Sequence, residues 1–240
     1  MQNISVENLF FIDIETVSCS SHYDSLSAEW KELWTEKISK VLPDDTTPEE
    51  YYPLRAGIMA EFAKVVCISF GYIKKENGKP QLRIKSIYSE DEKEILEKFI
   101  ETVSQLQAKN TWCFTGHNIK EFDIPFLCRR ILINNIEIPE CFNFQAMKPW
   151  DVPVLDTLHL WRFGDYKHYT SLKLLAATLG VPSPKDDIDG SQVGAVYWTE
   201  KDLKRIATYC QKDVATVANV ILRFKNLPLL EEEQIVFVES

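Results

Sequence analysis

Two acidic residues end a short apolar run near the start of the chain. Asp13 and Glu15 lie in the segment from Leu9 to Glu15, whose other residues are all apolar. Residues two apart on a β-strand point to the same face, so we expect both carboxylates on one side of a covered strand. Burial of a carboxylate is costly unless a cation or hydrogen bonds compensate it. The pair is therefore a candidate for binding a metal ion.

A third acidic residue, Asp123, lies in GHNIKEFDIPFL (residues 116–127), after a predicted strand and at the start of a predicted helix. Asp is a preferred helix N-cap and Pro125 suits a first helical turn, so taken alone the position favours a cap. Asn118 in the same segment is equally compatible with an ordinary turn. A metal-binding role for Asp123 remains open, because capping and ligation are not exclusive.

A tyrosine and an aspartate lie four residues apart on the predicted last helix. Tyr209 and Asp213 are about 40° apart on the helical wheel, to one side of its apolar stripe. Residues at that margin border a cleft when the stripe packs on a sheet. The alternative is a solvated Asp213 beside Lys212 with a tyrosine that reaches toward solvent.

The pattern of apolar residues predicts the elements that must position these side chains. The expected strands are Leu9 to Ile14, the hairpin of Lys64 to Ile73 and Gln81 to Tyr88, Thr111 to Thr115, and a short strand or helix start at Val154 to Leu158. One helix is expected directly after Ser89. Three more are expected at Phe122 to Ile133, Ser171 to Leu179 and Glu200 to Phe224. This order predicts an α/β fold with a mixed five-stranded sheet flanked by helices.

Residues 18–62 interrupt this order and are predicted to be a helical insertion after the first strand. Trp30, Leu33, Trp34 and Ile38 recur at helical spacing. We expect the tryptophans to pack on the domain rather than to stack on bases, and the helix to lie near the mouth of the cleft. The whole chain, residues 1–240, is predicted to be a single domain.

Composition limits the classes of partner. The net charge of −9 argues against a protein that holds nucleic acid by a broad basic face, so phosphate contacts must be local or metal-mediated. Short basic clusters at Arg129 and Arg130, at Lys167 to Tyr169, and at Lys201, Lys204 and Arg205 are read as ordinary solvated surface. The six cysteines form no Cys-x-x-Cys pair and there is no long apolar run, so we expect a reduced, cytoplasmic protein without membrane contact.

The three acidic motifs, taken in chain order, resemble those of one enzyme superfamily. FFIDIET (10–16), GHNIKEFDIPFL and YCQKDV (209–214) are similar to the three exonuclease motifs of the DnaQ-like DEDD 3′→5′ exonucleases, tyrosine subgroup. The similarity is specifically to the exonuclease domain of family B DNA polymerases, here as a stand-alone domain. Ser171-Leu172 with Leu175 resembles the motif that contacts single strands, and Lys185 with Ile188 resembles the lysine motif that meets phosphate. The resemblance spans about residues 8 to 218 and implies an RNase H-like fold.

The resemblance also implies a mechanism and a set of residue roles. Two Mg²⁺ or Mn²⁺ ions would be held with Asp13 as the bridging ligand, Glu15 and Asp213 as direct or near ligands, and Asp123 as a ligand through water. Tyr209 would orient the attacking water. By the same resemblance the substrate-binding residues are Asn118, Phe122, Ser171, Leu172 and Lys185.

The expected reaction is removal of nucleoside 5′-monophosphates from single-stranded 3′ ends, of DNA in preference to RNA. A separate polymerase or repair protein is a candidate partner. Two alternatives remain open from the residues alone: an RNA-trimming 3′→5′ exoribonuclease with the same chemistry, and a catalytically silent nucleic-acid-binding module. The intact set of four carboxylates argues against the silent module.

Overall fold

The chain folds around a six-stranded mixed sheet with helices on both faces. The computed structural model describes residues 4–76, 78–108, 110–148, 150–182 and 187–238. The strands are β1 (Leu9–Ser18), β2 (Ala63–Glu76), β3 (Lys79–Tyr88), β4 (Cys113–Gly116), β5 (Val154–Asp156) and β6 (Ile235–Val238). The helices are α1 (Ala28–Ile38), α2 (Pro48–Arg55), α3 (Glu92–Gln107), α4 (Asp123–Ile133), α5 (Thr157–Arg162), α6 (Leu172–Thr178), α7 (Val193–Ala195) and α8 (Leu203–Phe224), with a π-helical turn at Val196–Glu200.

The strand order places β1 in the interior of the sheet. The order is β5-β4-β1-β2-β3-β6, with β1 antiparallel to β2 and parallel to β4. β4 pairs only with the first three residues of β1, Leu9 to Phe11. From Ile12 onward, β1 therefore has β2 on one side and is open to other partners on the side where β4 has ended.

The alternation of side chains along β1 separates two cores. Phe10, Ile12 and Ile14 join the core beneath α3 and α4, whereas Leu9 and Phe11 join the core beneath α8. Asp13 and Glu15 follow Leu9 and Phe11 at the same two-residue spacing, so they face α8. The strand thus carries apolar residues on the α8 side in its first half and carboxylates in its second half.

The α/β prediction is confirmed, and the sheet has one strand more than the five expected. β6 is a four-residue run, Ile-Val-Phe-Val, that pairs in parallel with β3. So short a segment, next to an acidic run, carries little periodicity of its own, and its pairing with a distant edge defines it. β1 also continues to Ser18, beyond the predicted end at Ile14, because β2 pairs with it throughout. Among the described helices, none combines the length and apolar character needed to cross a membrane.

Within residues 18–62, two capped helices build a small core of their own. Ser27 caps α1 and Thr47 caps α2 through a capping box with Glu50. Trp34 is fully buried against Tyr52, and its indole Nε1 donates to the Pro48 carbonyl at 2.9 Å. Trp34 is therefore a packing residue.

A buried ion pair ties α3 and α4 to the segment that precedes β2. Arg130 donates to both carboxylate oxygens of Glu92, at 2.8 and 2.6 Å, and to the Ala60 carbonyl at 2.8 Å. Glu92 also accepts from the Val65 backbone N–H at 2.7 Å. The interpretation of Arg129 and Arg130 as a solvated patch is thus wrong for Arg130, because Arg130 is buried and pairs with Glu92, 38 residues away on another helix.

Gly116 ends β4 where the chain turns tightly against β1. A Cβ built at this position would lie 2.8 Å from the Ile12 carbonyl oxygen and closer still to the Ile119 side chain. We expect Gly116→Ala to destabilise the protein by about 1–3 kcal/mol because the backbone must shift. That corresponds to a fall in melting temperature of about 2–12 °C for a chain of this size.

Thermal unfolding followed by circular dichroism measures this change. Gly194→Ala is the matched control, because a Cβ there meets nothing within 4 Å. Equal melting temperatures for the two variants would show that the turn tolerates a side chain.

Candidate active site

The carboxylates of β1 lie where the strand loses its parallel neighbour. Asp13 is partly exposed and Glu15 is 8% exposed, both toward α8. The Cys210 thiol on α8 lies 3.2 Å from Asp13 Oδ2, and ligand atoms of Asp13, Glu15 and Cys210 are all within 4.8 Å of one another. The end of β4 therefore exposes a cluster of metal-ligating atoms between β1 and α8.

Asp123 occupies the gap that β4 leaves. α4 begins at Asp123, and its N-cap is Phe122, so the helix-cap interpretation of Asp123 is wrong. The carboxylate instead accepts the Ile14 backbone N–H at 3.2 Å, across 109 residues of sequence. This bond provides an acceptor for the Ile14 N–H, which β4 does not reach, and it brings a third carboxylate to the cluster.

Tyr209 and Asp213 enter the cluster from α8. Both are partly exposed, at the margin between the buried stripe of the helix and the cavity, as the helical spacing predicted. The tyrosine hydroxyl donates to the Asp213 carboxylate. Burial, followed by the charges of Asp213 and Glu15, raises the pKa of Tyr209 well above its usual value. The phenol is consequently protonated at neutral pH.

The carboxylates repel one another in a site that water reaches poorly. Burial is the main cause that raises the pKa of Asp13 and of Glu15 well above the usual range, and neighbouring carboxylates add to it. For Asp123, burial raises the pKa to about 7, against the lowering effect of backbone N–H groups. A divalent cation would relieve this repulsion, and oxygen ligands of this kind suit Mg²⁺ or Mn²⁺. The residues present therefore fit the metal-binding role.

One cavity of about 490 Å³ connects the cluster to the surface. The five residues predicted to be catalytic all line it, as do four of the five predicted to bind substrate: Asp13, Glu15, Asp123, Tyr209, Asp213, Asn118, Phe122, Ser171 and Leu172. The fifth, Lys185, lies outside the described residues. No residue of 18–62 lines the described part of this cavity, and the placement of the helix at residues 27–42 near the cleft mouth stays a prediction.

The turn between β4 and α4 holds Asn118 in a strained conformation. Asn118 has a φ of 63°, and its backbone N–H donates to Asp156 at 2.9 Å. Asp156 is buried and also accepts from the Lys120 N–H at 3.0 Å, which fixes the shape of the turn. Within the described residues, the Asn118 side-chain oxygen is buried without a hydrogen-bond partner. Such an atom in a cavity wall is available to a ligand.

Three residues at the site were not identified from the sequence as functional. Cys210 contacts Asp13, Asp156 anchors the turn, and His117 bridges Thr157 and the Thr170 carbonyl at 2.8 and 2.9 Å. Burial lowers the pKa of His117, so the ring is neutral and donates Nε2–H to Thr170. Cys210 and His117 lie inside the motifs YCQKDV and GHNIKEFDIPFL, and this position was the only feature of the sequence that could have identified them. For Asp156 the only signal was its position within the short strand or helix start predicted at Val154 to Leu158.

Comparisons with known proteins agree with this architecture. Residues 58–234, about three quarters of the chain, match a family described as "Predicted 3'-5' exonuclease related to the exonuclease domain of PolB". The match includes Asp123, Tyr209 and Asp213 but begins after Asp13 and Glu15. Comparison with curated proteins gives no match.

A solved structure shows the same fold. The family B DNA polymerase from the hyperthermophilic archaeon Pyrobaculum calidifontis is similar at a TM-score of 0.51 and 16% identity, over 90% of this chain and 24% of the polymerase. The chain thus spans about a quarter of that polymerase's length. Together with the family match, this confirms the sequence-based resemblance: the chain belongs to the family of predicted 3′–5′ exonucleases related to the exonuclease domain of PolB.

Proposed function

We propose that this protein is a metal-dependent 3′→5′ exonuclease that hydrolyses single-stranded DNA from its 3′ end and releases nucleoside 5′-monophosphates. One observation carries the proposal: carboxylates from β1, from the start of α4 and from α8 meet a tyrosine in one open cavity. A buried group of like charges has no evident value for folding, and it suits a reaction that needs cations beside a phosphate.

The residues that would hold the metal are Asp13, Glu15, Asp123 and Asp213. Two bound Mg²⁺ or Mn²⁺ ions would supply charge stabilisation at the attacking and leaving oxygens of the phosphodiester. Asp13 is central to the set, because it interacts electrostatically with each of the other three carboxylates and its ligand atom lies within 4.8 Å of that of Glu15. Asp123 is held by the Ile14 N–H, which fits an outer role through water.

The remaining side chains would place the substrate and the attacking water. A protonated Tyr209 cannot serve as a base, so it would orient the water by hydrogen bonding. Asn118 and Phe122 line the cavity and would hold the terminal nucleotide. Ser171 caps α6 by accepting the Leu174 N–H at 3.3 Å, which leaves its own hydroxyl hydrogen to donate to the strand. Lys185 keeps the phosphate-neutralising role that the resemblance implies.

Loss of a metal ligand should remove activity without unfolding the protein. We expect Asp13→Ala and Asp213→Ala to abolish release of mononucleotides from a 3′ end-labelled oligonucleotide. Tyr209→Phe should lower kcat by about 10²- to 10⁴-fold, the range for loss of a group that positions a proton or a water. Quantitative gel or chromatographic analysis of the products measures both effects.

The matched control is Asp44→Ala, an exposed aspartate in the segment between α1 and α2. It should retain the wild-type rate. Wild-type activity in Asp13→Ala would refute the assignment of the site.

Stability should depend on pH and metal together. The pKa values of Asp13, Glu15 and Asp123 are raised on folding, so the metal-free folded state binds more protons than the unfolded chain. Their contribution to stability is complete below the unfolded pKa of about 4 and is lost as pH rises through the raised pKa values of the folded state, which for Asp123 is about 7. We therefore expect the melting temperature in EDTA to fall between pH 5 and pH 8, roughly these limits.

Mn²⁺ or Mg²⁺ should reverse that loss. At 100 times the dissociation constant the stabilisation is about 2.7 kcal/mol, or about 5–11 °C at neutral pH. The gain should be smaller at acidic pH, where protons compete for the carboxylates. Differential scanning calorimetry of wild type and Asp13→Asn provides the measurement, and an equal response in both would contradict metal binding by Asp13.

The substrate class can be tested with DNA and RNA strands of the same sequence. We expect single-stranded DNA to be degraded faster than RNA of the same sequence, and an overhanging or frayed 3′ end faster than a blunt duplex. A preference for RNA would favour the exoribonuclease alternative. Binding of strands without hydrolysis in Mg²⁺ and in Mn²⁺ would favour the silent module. In either enzymatic case a separate polymerase or repair protein would be the source of 3′ ends.

A further inference from the structure

Three exposed aromatic side chains follow α5 at a spacing of three residues. Phe163 is 92% exposed, Tyr166 is 69% exposed and Tyr169 is 63% exposed. The segment between α5 and α6 that carries them has no helix or strand. Full burial of one such side chain would contribute about 1.5–3 kcal/mol by removing it from water, so three of them in one short exposed segment call for a binding role.

The backbone at Phe163 adds to this observation. Phe163 ends α5 in the left-handed region, with a φ of 45°, a conformation that a bulky side chain rarely adopts. A glycine is usual at such a helix end, and in this chain the glycine comes one residue later, at Gly164. The fold thus holds an aromatic ring in solvent at a position where a glycine would be easier to accommodate.

Tyr169 connects the segment to the active-site cavity. It lines the cavity together with Asp13 and Asp123, and its ring contacts His117 at a centroid distance of 6.4 Å. His117 in turn donates to the Thr170 carbonyl, which holds the segment against the turn between β4 and α4. Burial and the charges of Asp123 and Asp156 raise the pKa of Tyr169, which agrees with a hydroxyl that faces the carboxylates.

Tyr166 lies on the same wall, outside the cavity. Its ring contacts His159 at 6.2 Å and lies 5.6 Å from the Arg162 guanidinium. Both of those residues bond to Glu121, which belongs to the turn that carries Asn118 and Phe122. Both tyrosines thus lie beside the turn that carries Asn118 and Phe122, and Phe163 directly follows Arg162, a residue that Tyr166 contacts.

The charge of this region differs in sign from that of the whole chain. Residues 157–182 contain Arg162, Lys167 and Lys173 against one acidic residue, Asp165, in a chain of net charge −9; Arg162 pairs with Glu121, so Lys167 and Lys173 are the basic groups offered to a strand. Lys173 itself lines the cavity. The other basic clusters are less suited to a strand: Arg130 is buried with Glu92, and Arg205 pairs with Asp187 and Glu200.

We propose that Tyr169, Tyr166 and Phe163 form a stacking surface for successive bases of a single strand whose 3′ end occupies the active-site cavity. The proposal rests on the exonuclease function proposed above and adds a path for the nucleotides upstream of the scissile bond. Aromatic rings beside local positive charge bind single strands without sequence preference, because every base has a π-face. This path also explains how an acidic protein engages nucleic acid without a broad basic face.

The reach of the surface sets the substrate length at which it acts. Tyr169 lies six positions after Phe163, so their Cα atoms are at most about 22 Å apart. Stacked nucleotides rise about 3.4 Å each, so the surface spans up to about six nucleotides. A dinucleotide cannot reach Phe163, whereas a dodecanucleotide covers the whole surface.

The experiment compares a thymidine dinucleotide with a thymidine dodecanucleotide in Phe163→Ala, Tyr166→Ala and Tyr166→Phe. Hydrolysis in Mg²⁺ gives KM and kcat, and fluorescence anisotropy of the labelled dodecanucleotide in Ca²⁺ gives Kd. We expect each alanine variant to raise KM and Kd for the dodecanucleotide at least about fivefold, equivalent to about 1 kcal/mol, with kcat unchanged. The dinucleotide should be processed as by wild type, and Tyr166→Phe should retain wild-type binding because it keeps the ring.

The matched control is Phe237→Ala, which removes a 51% exposed phenylalanine from β6, at the edge of the sheet opposite β5. The stacking surface would be overturned if the two alanine variants bound the dodecanucleotide as tightly as wild type. It would also be overturned if Phe237→Ala lost as much affinity as they do. Neither result would affect the proposed exonuclease function. No binding by the wild type would also overturn it. Conversely, ring-dependent binding in a protein that hydrolyses neither substrate would support the surface and refute the proposed activity.

Discussion

Repulsion among carboxylates confined to one cavity is the constraint on which the site's architecture depends. Asp13 and Glu15 share one face of β1, and Asp123 and Asp213 are brought to the same cavity from α4 and α8. Like charges in a medium that water reaches poorly raise one another's pKa, and folding must overcome this cost. The packing of two apolar cores, one on either side of β1, offsets that cost.

The short length of β4 is what makes the cavity possible. Had β4 continued, its backbone would pair with Ile12 to Glu15 and close the edge of β1. Gly116 instead turns the chain close to Ile12, and Asp123 takes the Ile14 N–H that the missing strand would have bonded. The same turn is anchored from beneath by Asp156, the last residue of β5. A single strand end thus creates the opening, positions one carboxylate and shapes the wall that carries Asn118.

The turn between β4 and α4 and the segment that leads into α6 line the cavity together with α8. Two side chains of the turn bond to its neighbours. His117 hydrogen-bonds to the Thr170 carbonyl, and Glu121 accepts hydrogen bonds from His159 and Arg162 of α5. A few hydrogen bonds therefore hold α5 and the segment after it against the turn that carries Asn118 and Phe122. The helices of residues 18–62 pack around their own core of Trp34 and Tyr52, away from the lining of this cavity.

What the sequence by itself determined follows from local periodicity. The two-residue repeat of a strand placed Asp13 and Glu15 on one face, and the helical repeat placed Tyr209 and Asp213 at the cleft margin. The motif order then identified the family, and the α/β class followed from the order of the elements. Contacts between distant segments were decided only by the tertiary structure: Asp123 bonding to Ile14 rather than capping its helix, Cys210 beside Asp13, and Arg130 buried with Glu92. Each of these depends on residues that lie 38 to 197 positions apart, and local spacing carries no information about which distant groups meet.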